Sequence, residues 1–141
     1  KNRVTVPLTE ELEFADDYFS LLQIRYENKL QLEKNFNGRD SKKEMIVPCA
    51  LQILIENAIK HNEFSLENTL KIKIMLNGEY LKVSNNIMHK PYLLNSTETG
   101  LKNLSARYKL VTDHDISICK TENYFTVNIP LITAIKPYRH A

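Results

Sequence analysis

The stretch that decides the fold is Val47-Pro48-Cys49-Ala50-Leu51-Gln52-Ile53-Leu54-Ile55-Glu56-Asn57-Ala58-Ile59-Lys60-His61-Asn62. Its apolar residues recur every three or four positions, which is the spacing of one face of an α-helix. A proline is tolerated in a first turn, because its missing N–H has no partner inside the helix there. We therefore predict a helix opened by the proline, with this apolar stripe: Leu51, Leu54, Ile55, Ala58 and Ile59.

Polar side chains occupy the other side of this helix. At about 100° per residue, they fall within roughly 140° of arc: Glu56, Asn57, Lys60 and His61. An amide oxygen is a hard ligand that Mg²⁺ accepts, and a lysine offers a point charge to phosphate oxygens. A carboxylate can take a proton or position a water. The face suits a metal–phosphate ligand, with Ile53 as the floor of a pocket; a solvated helix surface is the plainer interpretation.

The same run resembles the N-box of the GHKL ATPase superfamily. Pro48, Leu51-Gln52 and the unbroken run from Ile55 to His61 match the form found in LytS/YehU-type sensor histidine kinases, although Ile53 replaces a second proline. An upstream pattern of that family, L-x-x-E-L-x-x-x-x-x-Y-L-x-I-Q-x-x-R, is matched by Leu8, Glu11, Leu12, Tyr18, Phe19, Leu22, Gln23 and Arg25. The resemblance covers about residues 4–131 and implies the Bergerat ATP-binding fold.

The resemblance also implies roles for the polar helix face. Asn57 is expected to ligate Mg²⁺. Glu56 is expected to act as the catalytic base or to orient an acceptor imidazole. Lys60 and His61 are expected to face the phosphate oxygens of ATP, and Lys60 is grouped with Glu56 as catalytic.

Asn85-Asn86-Ile87 stands where the family carries its adenine-binding motif, D-x-G. Asn85 takes the place of the aspartate that hydrogen-bonds the adenine amino group, and an asparagine carbonyl can still accept such a bond. Ile87 replaces the glycine, which matters if backbone near the base needs a positive φ. Turn chemistry at a strand end is the alternative interpretation of the two asparagines.

Residues 88–99 lack periodicity and contain Pro91, which is typical of a lid. The segment after them is similar to the family's G-x-G-L-x-N-V-R-E-R, which closes over the ATP phosphates and opens a helix. Glu98 occupies the first glycine position, where a carboxylate would repel a triphosphate unless it swings away. The resemblance implies ATP contacts from Gly100, Leu101, Lys102, Asn103 and Arg107. The alternative is a surface helix at 100–112 that packs Leu101, Leu104, Tyr108 and Val111.

The remaining elements follow from periodicity and turn signals. A helix is expected at 9–27, with Thr9 as its N-cap and acidic residues in its first turn. A strand is expected at 29–36, and hairpins at 69–84 around Asn77-Gly78 and at 116–130. This order predicts an α+β fold, a two-layer sandwich with helices on one face of a mixed, mostly antiparallel sheet.

Composition bounds the class of protein. The 141 residues suffice for a single domain, 1–141, and the start at Lys1 in mid-pattern suggests excision from a longer protein. A net charge of +2 does not indicate a nucleic-acid partner. No apolar run reaches the roughly 18 residues of a membrane span. Cys49 and Cys119 lie in apolar segments and are expected to be buried, reduced thiols.

By resemblance, the function is that of an ATP-binding catalytic domain of a two-component sensor histidine kinase. Such a domain binds ATP with Mg²⁺ and transfers the γ-phosphate to a histidine on an upstream dimerisation domain, in a P-H-F context that none of the histidines here has. The implied partners are those upstream helices and a response regulator, with the LytTR type as the candidate class. The parent is expected to be a homodimeric bacterial inner-membrane protein with this domain in the cytoplasm.

Two alternatives stay open. The substitutions at Asn85, Ile87 and Glu98 suit a pseudokinase or nucleotide-sensing module that works by protein contact. A GHKL kinase that phosphorylates a protein serine is the second, and the N-box ending Lys60-His61 argues against it.

Overall fold

The computed structural model describes residues 4–36, 43–88 and 98–133. They form a five-stranded sheet, a small two-stranded sheet and three helices. In chain order the elements are β1 Val6–Pro7, α1 Leu8–Arg25, β2 Leu30–Asn35, β3 Met45–Ile46, α2 Ala50–His61, β4 Leu70–Asn77, β5 Tyr80–Asn86, α3 Glu98–Val111, β6 Ser117–Lys120 and β7 Tyr124–Pro130. The predicted strand and both predicted hairpins are present.

The large sheet has the strand order β2-β4-β5-β7-β6. Strands β2 and β4 are parallel, and every other neighbouring pair is antiparallel, so the prediction of a mixed, mostly antiparallel sheet is confirmed. Asn77 pairs with Tyr80, which leaves Gly78 and Glu79 as the two-residue turn of the first hairpin. Gly78 has φ +61, at the position where a type II′ turn takes glycine.

One face of the large sheet is buried and the other is polar. Ile74, Val83 and Val127 lie in register across three adjacent strands, and all three are buried. The residues between them, such as Lys73 and Lys82, point to the opposite face and are exposed or half-buried. Because side chains alternate along a strand, this pattern places the core, and the helices that cover it, on a single face.

Helix α1 buries the predicted stripe, but it begins differently from the prediction. Its buried apolar residues are Leu8, Leu12, Ala15, Phe19 and Leu22. The helix starts at Leu8 with Pro7 at the N-cap, and Thr9 is not the cap. The pairing of β1 with β3 explains this, because it brings the Glu44 carbonyl to the Leu8 N–H at 2.8 Å. The Leu8 N–H at the start of the helix therefore has an acceptor, and no N-cap side chain is needed for it.

Helix α2 begins at Ala50, two residues after the proline that was expected to open it. Pro48 lies in the preceding turn, and Cys49 is the N-cap with φ 66 and no side-chain cap hydrogen bond. The cap comes instead from α1, because Glu11 accepts the backbone N–H groups of Cys49 and Leu51. A carboxylate at this end also complements the helix dipole. Glu11 was expected only as a first-turn residue of its own helix.

Glu11 is buried, at 7% exposure. Its Oε1 has no hydrogen-bond partner in the part of the chain that the structure describes. Burial is the main cause that raises the pKa of Glu11 above its ordinary value, against the lowering effect of the two N–H groups. Ionisation of the Glu11 carboxyl is therefore less favourable in the folded protein than in water.

Helix α3 packs on the same junction. The Arg107 guanidinium donates to the Pro48 carbonyl at 2.7 Å, and the Val47 N–H donates to the Tyr108 hydroxyl at 3.3 Å. Tyr108 and Leu104 are fully buried. The predicted packing stripe of this helix is confirmed, with Leu101 and Val111 half-buried against the core.

Both cysteines are exposed free thiols, so the prediction that they are buried is wrong. Cys49 sits in the turn that starts α2, where its side chain lies outside the core. Cys119 lies on β6, and all four residues of that strand are exposed, Ile118 included. Strand β6 is at the edge of the sheet, so alternation of apolar and polar residues along it does not ensure that its apolar side chains are buried.

Ile132 is buried and extends the small sheet through a bridge to Met45. Residues 89–97 of the predicted lid lie outside the described residues, as do Ile135 and the pair Asn37-Gly38, whose sequence is a turn signal.

The buried cap predicts a distinctive pH dependence. An unfolded Glu11 titrates near 4.5, and the folded carboxyl titrates at a higher pH. Between these values the folded state binds the extra proton, so the contribution of Glu11 to stability is greatest at low pH. It is lost as pH rises through the folded pKa. Relative to Glu11→Gln, the wild type should therefore lose free energy of unfolding as pH is raised from 4.5 towards neutrality.

Urea denaturation across that pH range measures the difference. Glu13→Gln, which removes an exposed carboxylate from the same helix, is the matched control. If the free energy of unfolding of the wild type, taken relative to Glu11→Gln, stays constant or rises with pH, the raised pKa assigned to Glu11 is contradicted.

Candidate functional site

The polar face of α2 lies at the surface, as its sequence predicted. Glu56, Lys60 and His61 are exposed, while Ile53 and Asn57 are half-buried. The opposite stripe is buried, with Ile59 half-buried at its margin. A carboxylate, an amide, an ammonium and an imidazole are thus presented together on a helix that the core holds rigidly.

Glu56 is held by two donors. The Tyr18 hydroxyl on α1 donates to Glu56 Oε1 at 3.0 Å, and the Gln52 side-chain amide donates to the same oxygen at 3.0 Å. Gln52 is one helical turn before Glu56, a spacing visible in the sequence. Tyr18 is 38 residues away, and no sequence signal pairs it with Glu56.

Helices α2 and α3 run antiparallel with a consistent register. Tyr108 meets Val47, Arg107 meets Pro48, and Ile53 Cγ2 lies 3.5 Å from where a Cβ on Gly100 would stand. Moving towards the start of α3 therefore means moving towards the end of α2. The first turn of α3, which begins at Glu98, therefore packs against Ile53, one helical turn before Glu56 and Asn57 on α2.

The first turn of α3 contains the glycine of the predicted lid motif. The helix begins two residues earlier than predicted, so Gly100 lies inside it. The backbone N–H groups of a first turn lack partners within their helix and attract anions. Leu101 is half-buried, while Lys102 and Asn103 are exposed.

Arg107 occupies a different place from the one its motif implied. Its guanidinium lies on the Pro48 carbonyl at the start of α2. Asn57 lies nine positions after Pro48, and the helical part from Ala50 to Asn57 alone spans roughly 10 Å at 1.5 Å per residue. In this structure Arg107 holds α3 to α2, and it is not gathered with the polar face.

Asn85 lies on the buried face of the sheet, between Ile72 and Phe125 on the neighbouring strands. Because polar side chains are seldom buried among apolar ones, a buried amide at this position calls for a structural or functional explanation. Its Nδ2 donates to the Asn86 carbonyl at 2.8 Å, so recognition of an adenine amino group would fall to its oxygen. The backbone of Ile87, at the family's glycine position, has no positive φ and donates to Asn123.

Asn86 and Asn62 have structural roles that differ from simple turn chemistry. Asn86 accepts the Lys71 N–H at 2.8 Å and donates to the Thr69 carbonyl at 3.1 Å, which ties β5 to the start of β4. Asn62 is buried, donates to Ala58 at 2.8 Å and accepts the Met88 N–H at 2.6 Å. The end of α2 is thereby joined to the chain that leaves β5.

The described residues contain no group of three or more His, Cys, Asp or Glu side chains that could hold a metal ion. No helix within them is long and apolar enough to cross a membrane.

The chain is similar in sequence to bacterial sensor proteins. Sensor protein LytS of Bacillus subtilis (strain 168) is 32% identical over 88 residues, which is 60% of this chain and 15% of that protein. Sensor protein kinase HptS of Staphylococcus aureus (strain USA300) is 32% identical over 82 residues, 58% of this chain and 16% of that protein. No protein-family model matches the chain. The chain thus spans less than a fifth of the length of these relatives.

Solved structures share the fold. The cytoplasmic segment of histidine kinase QseC superposes with a TM-score of 0.59 at 14% identity, over 89% of this chain and 75% of that one. The catalytic domain of histidine kinase ThkA gives a TM-score of 0.52 at 15% identity, over 89% of this chain and 94% of that one. The fold is that of a histidine kinase catalytic domain, as the N-box resemblance implied. In sequence, the chain is similar to the LytS sensor proteins over somewhat more than half of its length.

Asn62→Ala should lower the free energy of unfolding by about 1–3 kcal/mol. The change removes two hydrogen bonds and leaves the Met88 N–H without its acceptor. Urea denaturation measures the effect, with Asn68→Ala on the exposed loop before β4 as the control. If the free energy of unfolding changes by no more than in the control, within about 0.5 kcal/mol, Asn62 does not stabilise the connection between the end of α2 and Met88.

Gly100→Ala should be neutral or should raise the free energy of unfolding by up to about 1 kcal/mol. Glycine is the poorer helix former, and the added methyl would meet Ile53 at an ordinary contact distance of 3.5 Å. The same denaturation assay checks this. A clear loss of stability would mean that α2 and α3 pack more closely than the structure shows.

Proposed function

We propose that this chain is the domain that binds ATP with Mg²⁺ and delivers the γ-phosphate to a histidine in a LytS-type sensor kinase. One observation carries the proposal: the first turn of α3 packs at Gly100 against Ile53, one helical turn before Glu56 and Asn57 on α2. That arrangement pairs anion-binding N–H groups with a magnesium-ligating amide. The N-box resemblance and the histidine kinase fold support the same conclusion.

The residues around this turn fit a metal-bound triphosphate. Asn57 would ligate Mg²⁺ through its amide oxygen, and the backbone at Gly100 and Leu101 would receive phosphate oxygens. Bound Mg·ATP supplies the transferable phosphoryl group and the metal charge that offsets its oxygens. Further cations and donors stand on both sides of the turn: Lys60, His61, Lys102 and Asn103. A contact from Arg107 to the phosphates requires its guanidinium to leave the Pro48 carbonyl.

The adenine would lie over the buried face of the sheet. Asn85 is a buried amide on that face, and its oxygen can accept from an exocyclic amino group. The neighbouring Asn86 is committed to β4 through both of its side-chain polar atoms. Asn85 is therefore the residue of this pair that we assign to the base.

Glu56 would receive the proton of the acceptor imidazole or orient that imidazole for attack. No histidine of this chain stands in the P-H-F context of the family's acceptor. We propose that upstream dimerisation helices of the same protein carry it, as the much greater length of the relatives allows. The further proposals are a homodimeric, membrane-bound parent with this domain on the cytoplasmic side, and a response regulator partner, with LytTR-type regulators as the candidate class.

Calorimetric titration of the domain with ATP and Mg²⁺ tests the proposal. We expect saturable binding in the wild type and a loss of at least tenfold in affinity for Asn57→Ala, since the amide oxygen is the assigned metal ligand. Asn128→Ala removes a half-buried amide from the opposite face of the sheet, and it should bind like the wild type.

Absence of binding at millimolar nucleotide, in protein shown to be folded by its denaturation curve, would refute the kinase proposal. It would favour the interaction module suggested by the substitutions at Asn85, Ile87 and Glu98. Binding that survives Asn57→Ala would leave a nucleotide site but move the metal ligand elsewhere.

A further inference from the structure

The hydrogen bond from Tyr18 restricts the Glu56 side chain, which is exposed and could otherwise change rotamer freely. Glu56 is exposed, and an exposed glutamate samples several rotamers at little cost. Here its Oε1 accepts from the Tyr18 hydroxyl and from the Gln52 amide, each at 3.0 Å. One donor lies on α1 and the other lies one turn back on α2. Two donors from different directions hold the carboxylate in one orientation.

Tyr18 is itself held in place. It is half-buried, and its ring stacks on Phe14 with centroids 6.1 Å apart and planes 9° from parallel. Burial, followed by the hydrogen bond to Glu56, raises the pKa of Tyr18 to about 12. The hydroxyl therefore keeps its proton throughout the physiological range and remains a donor. A stacked, protonated phenol is a rigid support for a carboxylate.

Both donors use the same carboxylate oxygen. Neither occupies Oε2, which is the oxygen left to meet an incoming N–H. A carboxylate that orients an imidazole does so through one oxygen, and its second oxygen can be anchored without competing for that bond. In this structure Oε1 of Glu56 is the anchored oxygen, and Oε2 is the one that can meet the imidazole.

We propose that Tyr18 is a positioning residue for phosphoryl transfer: it fixes the Glu56 carboxylate so that Oε2 faces the acceptor imidazole. The inference rests on the role proposed above for Glu56. Tyr18 touches neither nucleotide nor acceptor, and it acts through Glu56 alone. It should therefore affect the transfer step and leave the binding of Mg·ATP unchanged.

Autophosphorylation of the full-length protein, measured with ³²P-labelled ATP, tests the proposal. Tyr18→Phe keeps the ring and its stacking and removes only the hydroxyl. Loss of one hydrogen bond to a charged group corresponds to a rate reduction of about tenfold. We expect kcat to fall by about that factor with KM for ATP unchanged. Tyr26→Phe makes the same substitution directly after α1 and should behave as the wild type.

A double-mutant cycle separates positioning from a merely structural role. In a Glu56→Gln background, Tyr18→Phe should cause no further loss, because the group it positions no longer works as a base. Additive losses would overturn the proposal, as would a wild-type rate for Tyr18→Phe while Glu56→Gln is slow.

The outcomes also distinguish this inference from the function on which it rests. If Glu56→Gln transfers phosphate at the wild-type rate, the role of Glu56 fails and the Tyr18 inference fails with it. If the wild type binds no nucleotide, the proposed function itself fails. Loss of transfer in Glu56→Gln with full activity in Tyr18→Phe overturns the Tyr18 inference alone.

Discussion

The start of α2 is the point on which the arrangement of the helices depends. The first N–H groups of any helix lack partners inside it, and a buried helix end must find them elsewhere. Glu11 of α1 accepts two of them. From α3, Arg107 donates to the Pro48 carbonyl and Tyr108 accepts from Val47. Three helices therefore meet at one turn, and each supplies a polar group that another one needs.

This junction sets the geometry of the polar face further along α2. Because a helix is stiff over three turns, fixing one end fixes the direction in which later side chains project. Asn62 secures the other end by joining α2 to Met88. Glu56 and Asn57 lie between the two anchors, on a segment with little freedom to tilt. A site that must hold reacting groups closely in place benefits from such support on rigid elements.

Helix α3 shares this constraint. Its far end is pinned at the junction by Arg107 and Tyr108, while its first turn packs at Gly100 against Ile53. The far end of α3 is held to α2 by hydrogen bonds, whereas the contact between Gly100 and Ile53 is apolar and would accept a methyl group at an ordinary distance.

Sequence patterns predicted most of the fold, because the elements are strongly periodic. The stripe of α1, the stripe of α2 and the alternation in β4 and β5 each reflect local geometry that a short window reveals. The errors lie where distant chain segments meet. Thr9 is not a cap because the Glu44 carbonyl reaches Leu8. Cys119 is exposed because it lies on an edge strand whose four residues are all exposed.

The sequence by itself determined which side chains share a face of α2, since 100° per residue brings Glu56, Asn57, Lys60 and His61 together in any such helix. Only the tertiary structure decided what that face meets. Tyr18 reaches Glu56 across 38 residues, and Arg107 reaches Pro48 across 59. Such contacts depend on how the helices cross and on which buried groups need partners. Local periodicity carries no information about either of these.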